Sequence, residues 1–213
     1  MAVEAVIWDF GGVFTTSPFD AFNRYERERG LPADIIRRIN SINPDTNAWA
    51  RIERSEIDAA AFDRLFREEA LAAGHDIPGA DVLALLSSDL RPAVVAAFFA
   101  CKARFKVGCI TNNAPTGKGA GMSSSSDKAR QIADVFAQFD HVIESSRAGV
   151  RKPDPRIYRM MCEALGVQPA ACVYLDDLGI NLKPAREMGM TTIKVVSEAQ
   201  LLDDLSRAVG IAF

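Results

Sequence analysis

Cysteine and histidine are scarce in this chain: its 213 residues hold four cysteines and two histidines. Cys101, Cys109, Cys162 and Cys172 make no Cys-x-x-Cys pair, and three of them sit in strongly apolar surroundings. Buried reduced thiols are therefore expected, not a disulfide framework or a zinc site. His75 and His141 share no ligand-like spacing, which argues against a histidine metal site or a histidine-based triad. An excess of charge is also missing. With a formal net charge of −3 the chain has no electrostatic case for nucleic acid or an anionic membrane surface, so an anionic ligand must be drawn by a few local groups and a metal. No apolar run approaches the roughly 20 residues that a bilayer-spanning helix needs. The first residues carry neither the basic segment nor the long apolar stretch of a secretory signal, so a cytoplasmic protein is expected. Internal repeats are absent.

What is present is an ordinary globular balance, 48% hydrophobic and 25% charged, enough for one sizeable domain or a core with a smaller companion. Ala5-Val6-Ile7-Trp8 is a short β-prone run that ends at Asp9 and is broken by Gly11-Gly12, which predicts a buried strand presenting Asp9 at its carboxyl end. From about Pro18 to Leu90 the spacing turns helical: Phe19, Phe22 and Tyr25; Ile35, Ile36 and Ile39; then Ile57, Ala61, Leu65 and Ala72, with Ser55 and Asp58 as a capping-box-like start. This predicts an all-helical insertion of roughly four helices over residues 17–90, set into a unit made of 1–16 and 91–213. Beyond Pro92 helices and short apolar strands alternate. The strands are Lys106 to Thr111, His141 to Glu144, Cys172 to Leu175 and Thr192 to Val196; the helices are Val94 to Ala103, Asp127 to Phe139, Asp154 to Leu165 and Lys183 to Met188. The pattern predicts an α/β fold, a mostly parallel sheet with helices on both faces, in which ligands bind at the carboxyl ends of strands. Three strands end on polar residues: Asp9, Thr111 and Asp176-Asp177. Gly117 to Ser126 is flexible by composition. Gly117-Lys118 superficially suggests a nucleotide loop, but Asn112 stands where such a loop needs glycine and no Ser or Thr follows Lys118.

Each candidate taken alone has a plain structural explanation. Asp9 before two glycines is ordinarily a turn residue. Thr111-Asn112-Asn113 offers a hydroxyl and amides suited to phosphate oxygens, yet Asn pairs also stop strands. Lys152 lies in Arg151-Lys152-Pro153-Asp154-Pro155, where two prolines stiffen the chain ahead of a helix that Asp154 can cap, so its direction is fixed as a surface lysine's is not. Asp176 and Asp177 end an apolar strand, where two adjacent carboxylates are costly without a partner; Mg²⁺ is a natural one, and helix capping by one of the pair is the competing explanation.

In this order the four signals are far more specific than any one of them. Asp9, Thr111, Lys152 and Asp176-Asp177 resemble the four motifs of the haloacid dehalogenase superfamily, over essentially the whole chain. The stretch containing GVRKPDPRIY and LDDLGINLKPAREMG resembles the subgroup that holds the N-terminal phosphatase domain of soluble epoxide hydrolase and a similar domain fused to an acyl-CoA dehydrogenase. The resemblance implies a Rossmann-like three-layer α/β/α core at 1–16 and 91–213, with residues 17–90 as a helical cap. It implies an Mg²⁺-dependent phosphohydrolase acting on a small phosphorylated substrate, in which Asp9 attacks phosphorus and forms an aspartyl-phosphate. Thr111, Asn112 and Lys152 then bind the phosphoryl group, and Asp9, the carbonyl of Gly11, Asp177 and Asp176 form the metal site, Asp176 through water. A homodimer is unsurprising by the same resemblance. Trp49 and Arg51 are the candidates for substrate contacts from the cap, against the simpler role of cap packing.

One departure matters. The family's phosphatases usually carry a second Asp two residues after the nucleophile as general acid and base, and this chain has Gly11 there. General acid–base catalysis is worth about 10²–10⁴-fold. Either turnover is slow, or it favours good leaving groups such as acyl phosphates and sugar 1-phosphates, or another donor serves. Two alternatives stay open: a non-catalytic phosphate-binding module, and a metal-independent dehalogenase, against which the Asp176-Asp177 pair argues.

Overall fold

The computed structural model describes residues 2–115, 122 and 125–213. Most of the Gly117 to Ser126 stretch, Gly117-Lys118 included, lies outside the described residues. Strand β1 (Ala5–Trp8) leads into helices α1 (Pro18–Glu28), α2 (Ile35–Ser41), α3 (Ala48–Glu53), α4 (Ala59–Ala72) and α5 (Gly79–Ala84). Then follow α6 (Pro92–Lys102), β2 (Lys106–Thr111), α7 (Ser126–Phe136), β3 (His141–Glu144), the short α8 (Ser145–Ala148), α9 (Pro155–Leu165), β4 (Cys172–Asp176), α10 (Gly179–Glu187), β5 (Thr191–Lys194) and α11 (Glu198–Val209). The described strands form one parallel sheet in the order β3-β2-β1-β4-β5. The order in which strands are added reverses between β1 and β4, and in open α/β sheets the crevice at such a switch is where ligands bind.

Alternation along the strands sorts the core into two layers. Val6 and Trp8 point to one face, with Val107, Cys109, Val173 and Leu175, and are covered by α6, α7 and α11. Ala5 and Ile7 point to the other, with Ile110, Cys172 and Tyr174, and are covered by α9 and α10. Both faces are thus buried, which is why these strands read as continuous apolar runs. All four cysteines are buried free thiols, as their surroundings suggested.

The helical stretch has an apolar interior of its own, built on Phe22, Ile36, Ile39, Phe62, Phe66 and Val82, and Ala114 from beyond β2 joins it. It holds five helices where periodicity suggested roughly four; α3 and α5 have six residues each, too few to display a 3.6-residue repeat. Helix α4 starts later than the capping-box reading placed it. Asp58 is the cap, accepting from Ala61 N at 2.8 Å, while exposed Ser55 has a positive φ and donates its hydroxyl to Ser146 O. The two connections to the sheet run side by side: Thr15 bridges Leu90, Thr16 N donates to Asp89 O at 2.9 Å and Arg91 N to Phe14 O at 2.7 Å.

Candidate active site

The sheet brings the sequence candidates to one rim. Asp9 follows β1 and is tied sideways to β4 by its N–H, which donates to Leu175 O at 2.8 Å. Thr111 ends β2 and is buried. Asp176 ends β4 and Asp177 follows it. Lys152, on the segment between α8 and α9, enters from the side and is 1% exposed. Its ammonium lies 2.7 Å from Asp9 Oδ1 and 2.8 Å from Asp176 Oδ2. Burial alone lowers a lysine's pKa, but here the carboxylates of Asp176 and Asp9 outweigh it and hold the ammonium charged well above its ordinary range.

Asp176 is fully engaged by the protein. Besides Lys152 it accepts from the Tyr174 hydroxyl, from Asn181 Nδ2 at 3.0 and 3.1 Å, and from Leu178 N at 2.8 Å. Tyr158 holds Asn181 in turn, donating to its carbonyl at 2.7 Å. A carboxylate so saturated is first of all an anchor for Lys152. Tyr174 and Asn181 were not singled out in the sequence, although Tyr174 lies two residues before Asp176 and therefore on the same face of β4.

Asp9, Asp176 and Asp177 offer carboxylate oxygens that all lie within 4.8 Å of one another. Three carboxylates meet one ammonium, and the crowding appears in the acidity of Asp177 and Asp9. Burial first, then Asp176, raises Asp177 from an ordinary 3.8 to about 6, with Lys152 and Arg91 opposing. Burial also pushes Asp9 well above its ordinary value, against the pull of Lys152. A hard dication answers this donor set, being bound by one or two carboxylates plus other oxygens. Gly12 makes room for the Asp177 carboxylate: at φ +75°, a Cβ there would lie 2.3 Å from Asp177 Oδ2. Gly11, by contrast, has a conformation open to any residue, and a Cβ on it would meet nothing within 4 Å.

Asn112 departs from the simplest expectation. Its side-chain amide clasps the Lys152 backbone, accepting from Lys152 N at 2.9 Å and donating to Lys152 O at 3.0 Å. Trp49 packs edge-on against Phe22 and Phe62 and donates its indole N–H to Glu53 at 2.9 Å; the Arg51 guanidinium lies 4.0 Å from Glu56.

A family model for haloacid dehalogenase-like hydrolases matches residues 3–189. The chain is 29% identical along its whole length to bifunctional epoxide hydrolase 2 of Mus musculus, covering 40% of that protein. It is 31% identical over 97% of its length to acyl-CoA dehydrogenase family member 10 of Mus musculus, covering 19% of it. The chain thus spans less than half the length of these two relatives. A phosphatase of Mycobacterium tuberculosis (strain CDC 1551 / Oshkosh) is 29% identical over 97% of this chain and 94% of its own length. Among solved structures, a haloacid dehalogenase family enzyme from Bacteroides thetaiotaomicron, in complex with magnesium and inorganic phosphate, has the same fold, with a TM-score of 0.61 and 16% identity over 92% of this chain and 96% of that one. The L-2-haloacid dehalogenase of Xanthobacter autotrophicus has it too, with a TM-score of 0.61 and 23% identity over 96% of this chain and 83% of that one. The family match over most of the chain, joined to the parallel sheet, places the chain in the haloacid dehalogenase-like hydrolase family.

Proposed function

We propose that this hydrolase is an Mg²⁺-dependent phosphatase of a small phosphorylated metabolite, with Asp9 as nucleophile. The observation that carries the reading is the Lys152 ammonium held between Asp9 and Asp176, beside the third carboxylate of Asp177. Asp9, Asp177 and the Gly11 carbonyl would hold the ion, with Asp176 behind them; when bound it neutralises charge on phosphate and nucleophile. Asp9 attacks phosphorus through a carboxylate oxygen, the bond to the leaving oxygen breaks, and water then attacks phosphorus to release inorganic phosphate and return the carboxylate. Lys152 stabilises the charge that builds up in both steps, and Thr111 and the amides after β2 orient the phosphoryl oxygens. Residues 17–90 act as the cap over a core of 1–16 and 91–213, and Trp49 and Arg51 serve cap packing more than substrate contact.

The open space at Gly11 refines the substrate class. No side chain there can protonate a leaving group, so substrates whose leaving oxygen needs no proton, acyl phosphates above all and sugar 1-phosphates next, suit this site. A metal-independent dehalogenase does not need the paired carboxylates of Asp176 and Asp177, which favours phosphate. Among the described residues no helix is long and apolar enough to cross a membrane.

The test is phosphate release from a panel of phosphomonoesters and acyl phosphates, with Mg²⁺ and with EDTA, for the wild type and Asp9→Asn. Turnover should need the metal and fall by at least about 10³-fold in Asp9→Asn, as expected when a nucleophile is removed. Silence across the whole panel would leave a phosphate-binding module as the better reading.

A further inference from the structure

Glu53 has no part in the chemistry above, yet it is a buried carboxylate that reaches from the helical stretch to the catalytic loops. Its Oε2 accepts from Arg151 Nε at 2.6 Å and from Asn112 Nδ2 at 3.4 Å, and its Oε1 from Trp49 Nε1. Its backbone carbonyl accepts from buried Ser145 Oγ at 2.7 Å, and Arg151 Nη1 donates to Pro44 O at 2.9 Å. Glu53 is the last residue of α3. A negative charge at a helix C-terminus opposes the helix dipole, so local preference does not explain it; its partners on the core do. A buried pair of this kind adds little net stability but fixes how two surfaces meet. Those partners flank Lys152: Arg151 precedes it, and Asn112 grips its backbone from both sides.

Building on the phosphatase reading, we propose that Glu53 is a positioning residue for phosphoryl transfer. Its carboxylate sets Arg151 and Asn112, and through them the Lys152 backbone, so that the ammonium is aligned on Asp9 when the helical stretch is seated. Docking of the insertion and assembly of the catalytic lysine are then one event.

The experiment compares Glu53→Gln, Arg151→Met and the double variant with the wild type, reading kcat, KM and acrylamide quenching of tryptophan. Trp8 is fully buried, so quenching reports Trp49, the other tryptophan, beside Glu53. Misplacing a catalytic group is worth about 10²-fold, so Glu53→Gln should lower kcat by about 10- to 100-fold with KM nearly unchanged, and should raise quenching. Arg151→Met should act alike, and the double variant no worse than the weaker single. Should Glu53→Gln fail to fold, Arg151→Met decides. Quenching that rises while kcat stays at the wild-type level overturns the proposal, as does wild-type behaviour in both readouts. A wild type without turnover sinks the phosphatase reading and this one together; turnover that needs Asp9 but ignores Glu53 sinks this one alone.

Discussion

Two ion pairs made by adjacent residues, one buried and one part-buried, illustrate different ways of fixing charge. At the sheet rim, Lys152 meets Asp9 and Asp176, and both carboxylates grow from strand ends whose register sets their direction. At the contact with the helical insertion, Arg151 meets Glu53 across 98 residues of sequence, from a helix of only six residues. The rim carboxylates are placed by the sheet itself, and Lys152 reaches them from the loop that also carries Arg151. The Arg151–Glu53 pair joins a loop of the sheet to a second apolar unit, the helical stretch. Neighbouring residues, Arg151 and Lys152, thus tie one loop both to the helical stretch and to the sheet rim, so that a contact with the insertion and a set of strand-end carboxylates meet on a single segment.

Gly11→Asp is the largest effect expected and bears on this division directly. The rim lacks a proton donor, and the question is whether the insertion supplies one on closing. The added side chain has open space and no backbone strain. If the donor is missing, the variant should hydrolyse unactivated alkyl phosphates about 10²–10⁴-fold faster than the wild type while acyl phosphates change little. If the insertion already brings a donor, neither substrate class should gain, and the comparison between rigid rim and conditional insertion shifts toward the insertion.

Metal linkage is the next effect, and it concerns the rim alone. Asp177 has its pKa raised in the fold, from 3.8 to about 6, and Asp9 moves the same way. A raised acid gives stability that is full below the unfolded value and lost as pH rises through the folded one, so the metal-free protein should weaken between about pH 4 and pH 6. On the proposed reading Mg²⁺ binds the ionised carboxylates and should restore it. At 100 times its Kd a ligand adds about 2.7 kcal/mol, which for a chain of this size raises Tm by roughly 5–10 °C. Thermal shift by Mg²⁺ at pH 7.5 and at pH 5 measures this: a full shift at the higher pH and a much smaller one at the lower. An equal shift at both would mean that the Asp9, Asp176 and Asp177 cluster is not where the ion binds.

The same contrast explains what could be read beforehand. Strands β2 and β3 and the polar ends of β1, β2 and β4 were legible because apolar runs stop sharply there, and a parallel sheet must bring carboxyl ends to one rim. Helix α10, read as Lys183 to Met188, begins at Gly179, since Gly179 and Ile180 show no apolar repeat. Helices α8 and α11 were not foreseen. Asn112 was read as a phosphate ligand because of its strand-end position; that its amide turns to the Lys152 backbone depends on a loop 40 residues away. Glu53 was passed over because a Glu on a short amphipathic helix looks solvated until Arg151 arrives from across the fold.

Tyr174→Phe should be the smallest effect and the finest probe of the rim. Burial first, then Asp176, pushes the Tyr174 phenol well above its ordinary range, so it remains a donor to Asp176 at every working pH. Removing the hydroxyl leaves Asp176 with Lys152, Asn181 and Leu178 N, enough to keep the carboxylate in place but less tightly. A hydrogen bond to a charged group is worth about 1.5–3 kcal/mol, and with three donors remaining we expect the low end, near a tenfold loss of kcat. The loss should be the same from pH 6 to pH 9, with the Mg²⁺ requirement unchanged. A rise in the Mg²⁺ concentration needed for half-maximal rate would instead place Asp176 among the direct ligands of the ion, since a carboxylate that only orients Lys152 transmits nothing to the metal when its tyrosine is removed.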